Sequence, residues 1–491
     1  MAAKSVIIIG SGFAGLSAAS FMAKEGWQVT VVEKNQMPGG RAQQLKANGF
    51  TFDMGPSFYW MPDVFERFFA CFGKKTSDYY TLTRLDPSYR IYWSDNYTDI
   101  PASYQALQQV FESLEPGSSA ALDKYLQGAA YKYDVGVNRL VYKPGRSLTE
   151  FLDWPTISGV FRLDVFTSIR KHIARYFKNP KLQQLMEFPV LFLGALPEDT
   201  PALYSLMNYA DIKGGTWYPQ GGMYAVAEGM YKLATELGVH FHFGEEVKEI
   251  VVEKGLAKKI ISSRQTFTAD AVISGADYHF TEQQLLSPEY RQYSEAYWNK
   301  RVMAPSCLMY YVGLNKKIKR IVHHSLFFDV SFEKHGKEIY KDPQWPHEPL
   351  FYASVSSLTD PAVAPPGQEN LVLLVPVASG LKGDTEELRE KYFTMIMKRM
   401  EQHLGESLLD AVVYKKSYSV SDFVHDYHSF RGNAYGLANT LRQTAIFRPA
   451  CVSKKVKNLF FTGQLTVPGP GVPPSLISGE VAAGQVQKKF G

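Results

Sequence analysis

Three glycines at positions 10, 12 and 15 and a carboxylate at Glu33 have the types and spacing to hold a dinucleotide. In "GSGFAG", Gly10 permits a tight turn, Gly12 lets a diphosphate approach the backbone, and Gly15 lets a helix pack closely on a strand. The helix N-terminus then faces the phosphates with its unpaired N–H groups and its dipole. Glu33, about twenty residues on, stands where a carboxylate accepts both ribose hydroxyls of an adenosine. At the other end of the chain, "TVPGPGVPPSLISGE" (466–480) alternates prolines that fix φ with glycines that open positive φ, which makes a loop of one shape able to lie close to a ligand.

The elements that must carry these residues are legible around them. "SVIIIG" is a continuous β-branched run, the pattern of a strand buried on both faces of a parallel sheet. "SGFAGLSAASFMAKEG" places Leu16, Ala19 and Met22 at helical spacing up to Gly26, and "WQVTVVEK" is a second strand that ends at Glu33. The glycines therefore fall on the strand-to-helix turn of a βαβ unit, where the mechanism needs them. This fingerprint leaves NAD and FAD both open, since each carries a diphosphate and an adenosine ribose. "EKNQMPGGRA" and "NGFTFDMGPS" then add Gly39, Gly40, Arg41, Gly49, Asp53, Gly55, Pro56 and Ser57, a composition suited to a chain that continues along an extended cofactor.

Further along, Tyr218, Pro219, Gly221, Gly222 and Met223 make a turn into a helix marked by Val226, Met230, Leu233 and Leu237, which stops at Gly238. "VHFHF" and "EVKEIVVE" alternate as strands, and "TADAVISGADYH" returns to the dinucleotide sheet. "VKNLFFTG" is a last buried strand ending at Gly463, and Ser475 is the expected cap of a helix carrying Leu476, Ile477, Val481 and Val486, with Gly479 and Gly484 allowing close packing. The dipole of that helix would stabilise negative charge on a bound flavin. Between these regions, Val160, Phe161, Leu163, Val165, Phe166, Ile169, Ile173 and Phe177 interleave with Arg162, Arg170, Lys171, Arg175 and Lys178. That pattern over 154–178 fits a basic amphipathic helix lying in a membrane interface, or equally one packed on its own domain with its cations outward.

The bulk properties remove several other classes. The chain of 491 residues is 45% hydrophobic and 21% charged, ordinary for a globular protein of two or more domains. A net charge of +5 gives little support to nucleic-acid binding and leaves contact with an anionic membrane open. Cys71, Cys307 and Cys451 make no CxxC pair, which argues against a disulfide framework or a zinc site and fits a reducing cytoplasm. The apolar run Val6 to Ile9 is too short for a signal peptide, and no window reaches the ~18 apolar residues of a membrane span, so any membrane contact is peripheral. Neither a Ser/His/Asp arrangement nor a paired-carboxylate motif stands out. His323 and His324 invite a metal, but adjacent strand residues point to opposite faces, and no metal site is expected.

The run Glu33, Gly39, Gly40, Arg41 and then "FDMGPS" resembles the FAD-binding opening of the amine oxidase and phytoene desaturase superfamily. "FDMGPSFYWMPDVFERFF" resembles the opening of bacterial-type phytoene desaturases more closely. The likeness is strong over about the first sixty residues, from roughly 190 to 280, 320 to 380 and 430 to the end, and weak from about 75 to 180. Gly275, Ala276 and Asp277 stand where the family commonly has Asn-Ala-Asp.

The resemblance implies an α/β fold with a Rossmann-like FAD-binding domain of the GR2 type. That domain would be assembled from 1–75, 210–285 and 440–491, with a helical, membrane-associating part of the substrate region at 76–209 and a substrate domain on a mixed sheet at 286–439. It implies FAD held by Gly10, Gly12, Phe13, Ala14, Gly15, Glu33, Lys34, Gly40, Arg41, Pro56 and Ser57, by the backbone at Val247 beside the adenine, and by Gly463, Gln464, Gly471, Val472, Pro473 and Leu476 from the far end. The activity implied is introduction of C=C bonds into an acyclic C40 carotene, a lipophilic substrate. One hydrogen leaves an allylic carbon with its electron pair and a proton follows from the neighbouring carbon. The phytoene type, working toward lycopene, is favoured by "GGRA" and "FDMGPSFYWMP"; the alternatives are a 1-hydroxycarotenoid 3,4-desaturase, a flavin amine or porphyrinogen oxidase, and a non-catalytic relative like the prenyl-protein escort factors. The expected location is the cytoplasm, peripherally attached to the cytoplasmic membrane. The residue that takes the proton is not named by the sequence, which does not choose among Asp153, Arg146 and the histidines.

Overall fold

A computed structural model describes residues 3–151, 163–191 and 194–491. Strand Ser5–Ile9 lies at the centre of a five-stranded parallel sheet, between Gln28–Val32 and Ala271–Ser274, with His240–His242 and Leu459–Phe461 at the edges. Its unbroken β-branched composition has a direct cause in two-sided burial. Val6 and Ile8 pack with Ala18, Ala19, Met22, Ala482 and Val486 on one face, while Ile7 and Ile9 pack with Val247 and Ile250 on the other.

Two helices share the first of these faces, Phe13–Lys24 and the C-terminal Val472–Phe490. Their approach is set by glycine. A Cβ at Gly479 would stand 2.3 Å from the Ala14 carbonyl oxygen, and one at Gly15 would stand 2.0 Å from that of Gly10. The C-terminal helix begins at Val472, earlier than the expected cap at Ser475. Gly471 at φ +112 makes the turn, Pro473 and Pro474 need no donor in the first turn, and Ser475 N–H already bonds to Gly471 O at 2.9 Å.

A second sheet has seven strands, in the order Val412–Tyr418, Ser306–Leu314, Glu369–Val377, Phe351–Ser354, His324–Phe327, Tyr89–Tyr92 and Tyr97–Ile100. It is mixed: His324–Phe327 runs parallel to Tyr89–Tyr92, and the other pairs are antiparallel. One face, with Met309, Tyr311, Leu326, Tyr352 and Leu374, shares a core with Phe50, Phe52 and Leu476. The opposite face, with Tyr310, Phe327, Phe351 and Leu373, is covered by Ile396, Met397 and Met400 of helix Glu386–Leu404.

The segment 76–209 is less helical than expected. Besides helices such as Tyr104–Leu114 and Ser118–Val135, it supplies Tyr89–Tyr92 and Tyr97–Ile100 to the large sheet, because alternating Tyr89 and Ile91 bury on its inner face. The amphipathic pattern does not form one helix. Val160, Phe161 and Arg162 lie outside the described residues, Asp164 has φ +50, and Ser168 caps a new, short helix, Ile169–Ala174. Ile169, Ile173 and Phe177 bury with Phe111 and Tyr125, so their spacing reports a core, while Phe166 stays 86% exposed. Among the described residues, no helix is long and apolar enough to cross a membrane.

Candidate functional site

Glu33 is fixed at the mouth of the glycine turn. Its Oε2 accepts the N–H and hydroxyl of Ser11 at 2.7 and 2.8 Å, its Oε1 accepts the Asn35 N–H at 2.8 Å, and the side chain is buried. Gly10 has φ +91, and Gly12 caps the helix that starts with Phe13 and Ala14. The "GGRA" turn folds back onto this one: Gly39 N–H donates to Ser11 O at 2.9 Å, and a Cβ on Gly40 would lie 3.1 Å from Gly12 Cα. Two glycine turns thus face each other beside the buried carboxylate. Lys34 points away, its Nζ donating to His425 O at 2.6 Å. Val247 turns its side chain into the core with Ile7 and Val32, while the preceding backbone borders the acid, Glu245 N–H donating to Glu33 O at 2.8 Å.

Arg41 joins the two ends of the chain. Its Nη2 donates to Ser429 Oγ at 3.0 Å and to Asn433 O at 3.4 Å, the guanidinium lies 5.2 Å from the centre of the Tyr427 ring, and Nε is buried with no partner among the described residues. Burial pulls the guanidinium pKa below its ordinary value, opposed by the nearby Asp277. An inward cation with an unused donor is what a diphosphate or flavin oxygen can meet. Asn433 also receives Gln464, whose Nε2 donates to its Oδ1 at 3.0 Å. One residue therefore ties the "GGRA" turn to the loop that starts at Gly463. That glycine has φ +105, and its N–H donates to Ser478 Oγ at 2.9 Å.

The "FDMGPS" loop completes this wall. A Cβ on Gly55 would lie 2.2 Å from Arg41 O, and Ser57 Oγ donates to Gly55 O at 3.4 Å, so Pro56 and Ser57 follow directly on the arginine turn. Asp53 accepts the N–H groups of Met223 and Tyr224 at 2.8 and 3.2 Å, at the start of helix Met223–Glu236. Burial raises its carboxyl to about 7, against those two bonds. At the C-terminal helix, Gly471, Val472 and Pro473 form the start and Leu476 is buried in the shared core. With Pro473 and Pro474 lacking N–H groups and Ser475 bonded back, the Val472 N–H is the first-turn donor left to face a ligand.

The structure thus brings Gly10, Gly12, Gly40, Arg41, Glu33 and Gln464 into one connected region and turns the side chains of Lys34, Val247 and Leu476 away from it. Asp277, read from sequence only as the end of the Gly275–Asp277 run, belongs to the same region, as do Ser429 and Asn433, which are not among the residues read from sequence. The signal for them is the "RGNAYG" loop, where Gly432 and Gly436 have φ +61 and +107 and a Cβ on Gly436 would stand 2.7 Å from Gln464 O. His323 and His324 also depart from expectation. His323 precedes the strand, so both rings are buried and lie 4.4 Å apart.

The set of a buried acid, two facing glycine turns and a half-buried cation with a free donor fits a dinucleotide. A model of the flavin-containing amine oxidoreductase family matches residues 13–487. The chain is 41% identical to a carotenoid 3,4-desaturase of Haloarcula japonica, over 98% of each chain. It is 32% identical to a zeta-carotene-forming phytoene desaturase of Myxococcus xanthus, over 96% of this chain and 92% of that one. Among solved structures, an oxidoreductase from Methanosarcina mazei superposes with a TM-score of 0.63 at 17% identity, covering 99% of this chain and 100% of that one. A wild-type putrescine oxidase bound to putrescine gives 0.63 at 13%, covering 99% of each. At such identities the likeness is one of fold. The chain belongs to the flavin-containing amine oxidoreductase family, with carotenoid desaturases as its full-length relatives.

Proposed function

We propose that the protein is an FAD-dependent desaturase of an acyclic C40 carotenoid. The observation that carries this is the 41% end-to-end identity to a carotenoid 3,4-desaturase, in a chain whose glycine turns, Glu33 and Arg41 are intact and assembled. Bound FAD would accept two electrons and a proton from the carotenoid, as a hydride. Glu33 would accept the adenosine ribose hydroxyls, Gly12 and Gly40 would admit the diphosphate, and Arg41 Nε with the Val472 N–H would meet oxygens farther along the cofactor. A carotene offers no polar handle, so its recognition falls to apolar and aromatic surface. The inner face of the seven-stranded sheet offers that surface, with Trp60, Tyr89, Phe188, Phe328 and Tyr352 in one cluster.

Two substrates have specific support. Identity is higher to the 3,4-desaturase than to the phytoene desaturase, 41% against 32%. The opening "FDMGPSFYWMP" resembles the phytoene type. Expression in cells supplied in parallel with phytoene and with a 1-hydroxycarotenoid, read by absorption and mass, separates them. A product two mass units lighter with a longer chromophore is expected in one arm, and unchanged pigment in both arms with FAD bound to the protein contradicts the proposal. The proposed location is the cytoplasm with peripheral attachment to the membrane, supported by the lipophilic substrate and by exposed Phe166 beside Arg170 and Lys171.

A further inference from the structure

Desaturation removes two hydrogens, and the second needs a proton acceptor. His324 sits on the inner face of the large sheet, in strand His324–Phe327, and is 0% exposed. Its Nδ1 is 2.6 Å from the Tyr352 hydroxyl, and its Nε2 is buried with no partner among the described residues. Phe58 stacks on the imidazole at 4.1 Å and 20°. Phe58 also ties the histidine to the candidate flavin site, since it follows Ser57 in the loop whose Gly55 packs on the Arg41 carbonyl.

Several other buried groups are engaged by partners or lie elsewhere. Asp211 accepts the Tyr89 hydroxyl at 2.7 Å and Thr216 Oγ1 at 3.3 Å. Glu187 pairs with Arg170 at 3.0 Å, and His323 Nδ1 meets Thr359 Oγ1 at 2.7 Å. His172 lies elsewhere, against Tyr125 and Tyr176. Arg146, an exposed cation bonded to Gln485, has no lone pair to offer, and Asp153 is outside the described residues.

We propose that His324 Nε2 accepts the proton lost from the carotenoid. This rests on the desaturase function proposed above. One C–H bond would break, its hydrogen and electron pair going to the oxidised flavin that the site would hold. The C–H on the adjacent carbon then breaks, its electron pair becomes the new C=C bond, and its proton goes to Nε2. The substrate would lose two electrons and two protons in all, the flavin taking both electrons and one proton as hydride, and the imidazole holding the remaining proton until product leaves. Nδ1–H donating to the Tyr352 oxygen keeps the Nε2 lone pair free. Burial and the neighbouring His323 hold the imidazole neutral. A weak base is sufficient because a C–H beside an allylic cation is a strong acid, and a neutral base avoids burying an anion. The ring face of Phe58 favours positive charge on the bound polyene.

The test uses purified holoprotein mixed anaerobically with the carotenoid that the parent converts, reading flavin bleaching and product together. His324→Ala should keep its FAD, form product ~100-fold or more slowly once the flavin is bleached, and regain at least ~10-fold in product formation on adding imidazole. His324→Phe, which fills the space, should be equally slow and gain nothing. Should the alanine variant lose flavin, His324→Gln takes its place in the rate comparison, with the same ~100-fold loss expected. Product formation within ~3-fold of the parent in any flavin-loaded variant overturns the proposal, as does a loss in His324→Ala that imidazole leaves unchanged, because the Brønsted role would then lie elsewhere. A parent that bleaches with no carotenoid defeats the desaturase function itself and is distinguishable from both.

Discussion

At single residues, the account turns on which polar groups are held ready. Glu33 is held by three hydrogen bonds, so removing it deletes the proposed ribose acceptor and releases Ser11. Glu33→Ala should weaken FAD by about 2–3 kcal/mol, roughly 30- to 150-fold, the worth of charged hydrogen bonds to two hydroxyls. Flavin content after dilution and gel filtration reads this, and an undiminished yellow protein counts against the ribose assignment. Asp53 gives a pH signature. Its folded pKa, about 7, is raised above the ordinary 3.8 by burial, so its contribution to stability is fully present below pH ~4 and lost as pH rises through about 7. Asp53→Asn keeps an acceptor for Met223 and Tyr224 without that loss. Melting curves at pH 5 and pH 8 should show the variant gaining about 1–2 kcal/mol on the parent at the higher pH, and parallel shifts would refute the assignment.

Between elements, close approach decides what survives substitution. Gly479 lies inside helix Val472–Phe490, where alanine would ordinarily gain about 1 kcal/mol in helix propensity. Its Cβ would meet the Ala14 carbonyl at 2.3 Å, and overpacking of that kind costs about 1–3 kcal/mol or more. The clash wins, so Gly479→Ala should lower the melting temperature and loosen flavin, because the displaced helix carries Gly471 and Val472. A melting temperature at or above the parent's would contradict this packing. The same scale shows why sequence was informative in some places and misleading in others. The turn from Gly10 to Glu33 is built by neighbours in the chain, so local pattern sufficed. Asn433 reaches Arg41 across 392 residues, and Tyr352 reaches His324 across two strands, so only the tertiary arrangement discloses them. The repeat from Leu163 to Phe177 had helical spacing, but Ser168 restarted the chain and burial absorbed its apolar members.

For the whole molecule, the open matters are how a greasy substrate arrives and what is done to it. Phe166, 86% exposed beside Arg170 and Lys171, is the described feature best suited to an anionic bilayer. Phe166→Ser should cut co-sedimentation with vesicles containing anionic lipid by several-fold, consistent with about 1–2 kcal/mol for one inserted side chain, while FAD content stays level. Equal sedimentation of the two proteins would place any membrane contact elsewhere. The central claim is that carbon–hydrogen bonds of a carotenoid reduce the flavin of this chain. It is tested most directly by mixing purified holoprotein anaerobically with phytoene, and separately with a 1-hydroxycarotenoid, while following flavin absorbance. The account predicts bleaching in at least one arm, matched one-for-one by a new carbon–carbon double bond, and a flavin that stays oxidised in both arms would contradict it.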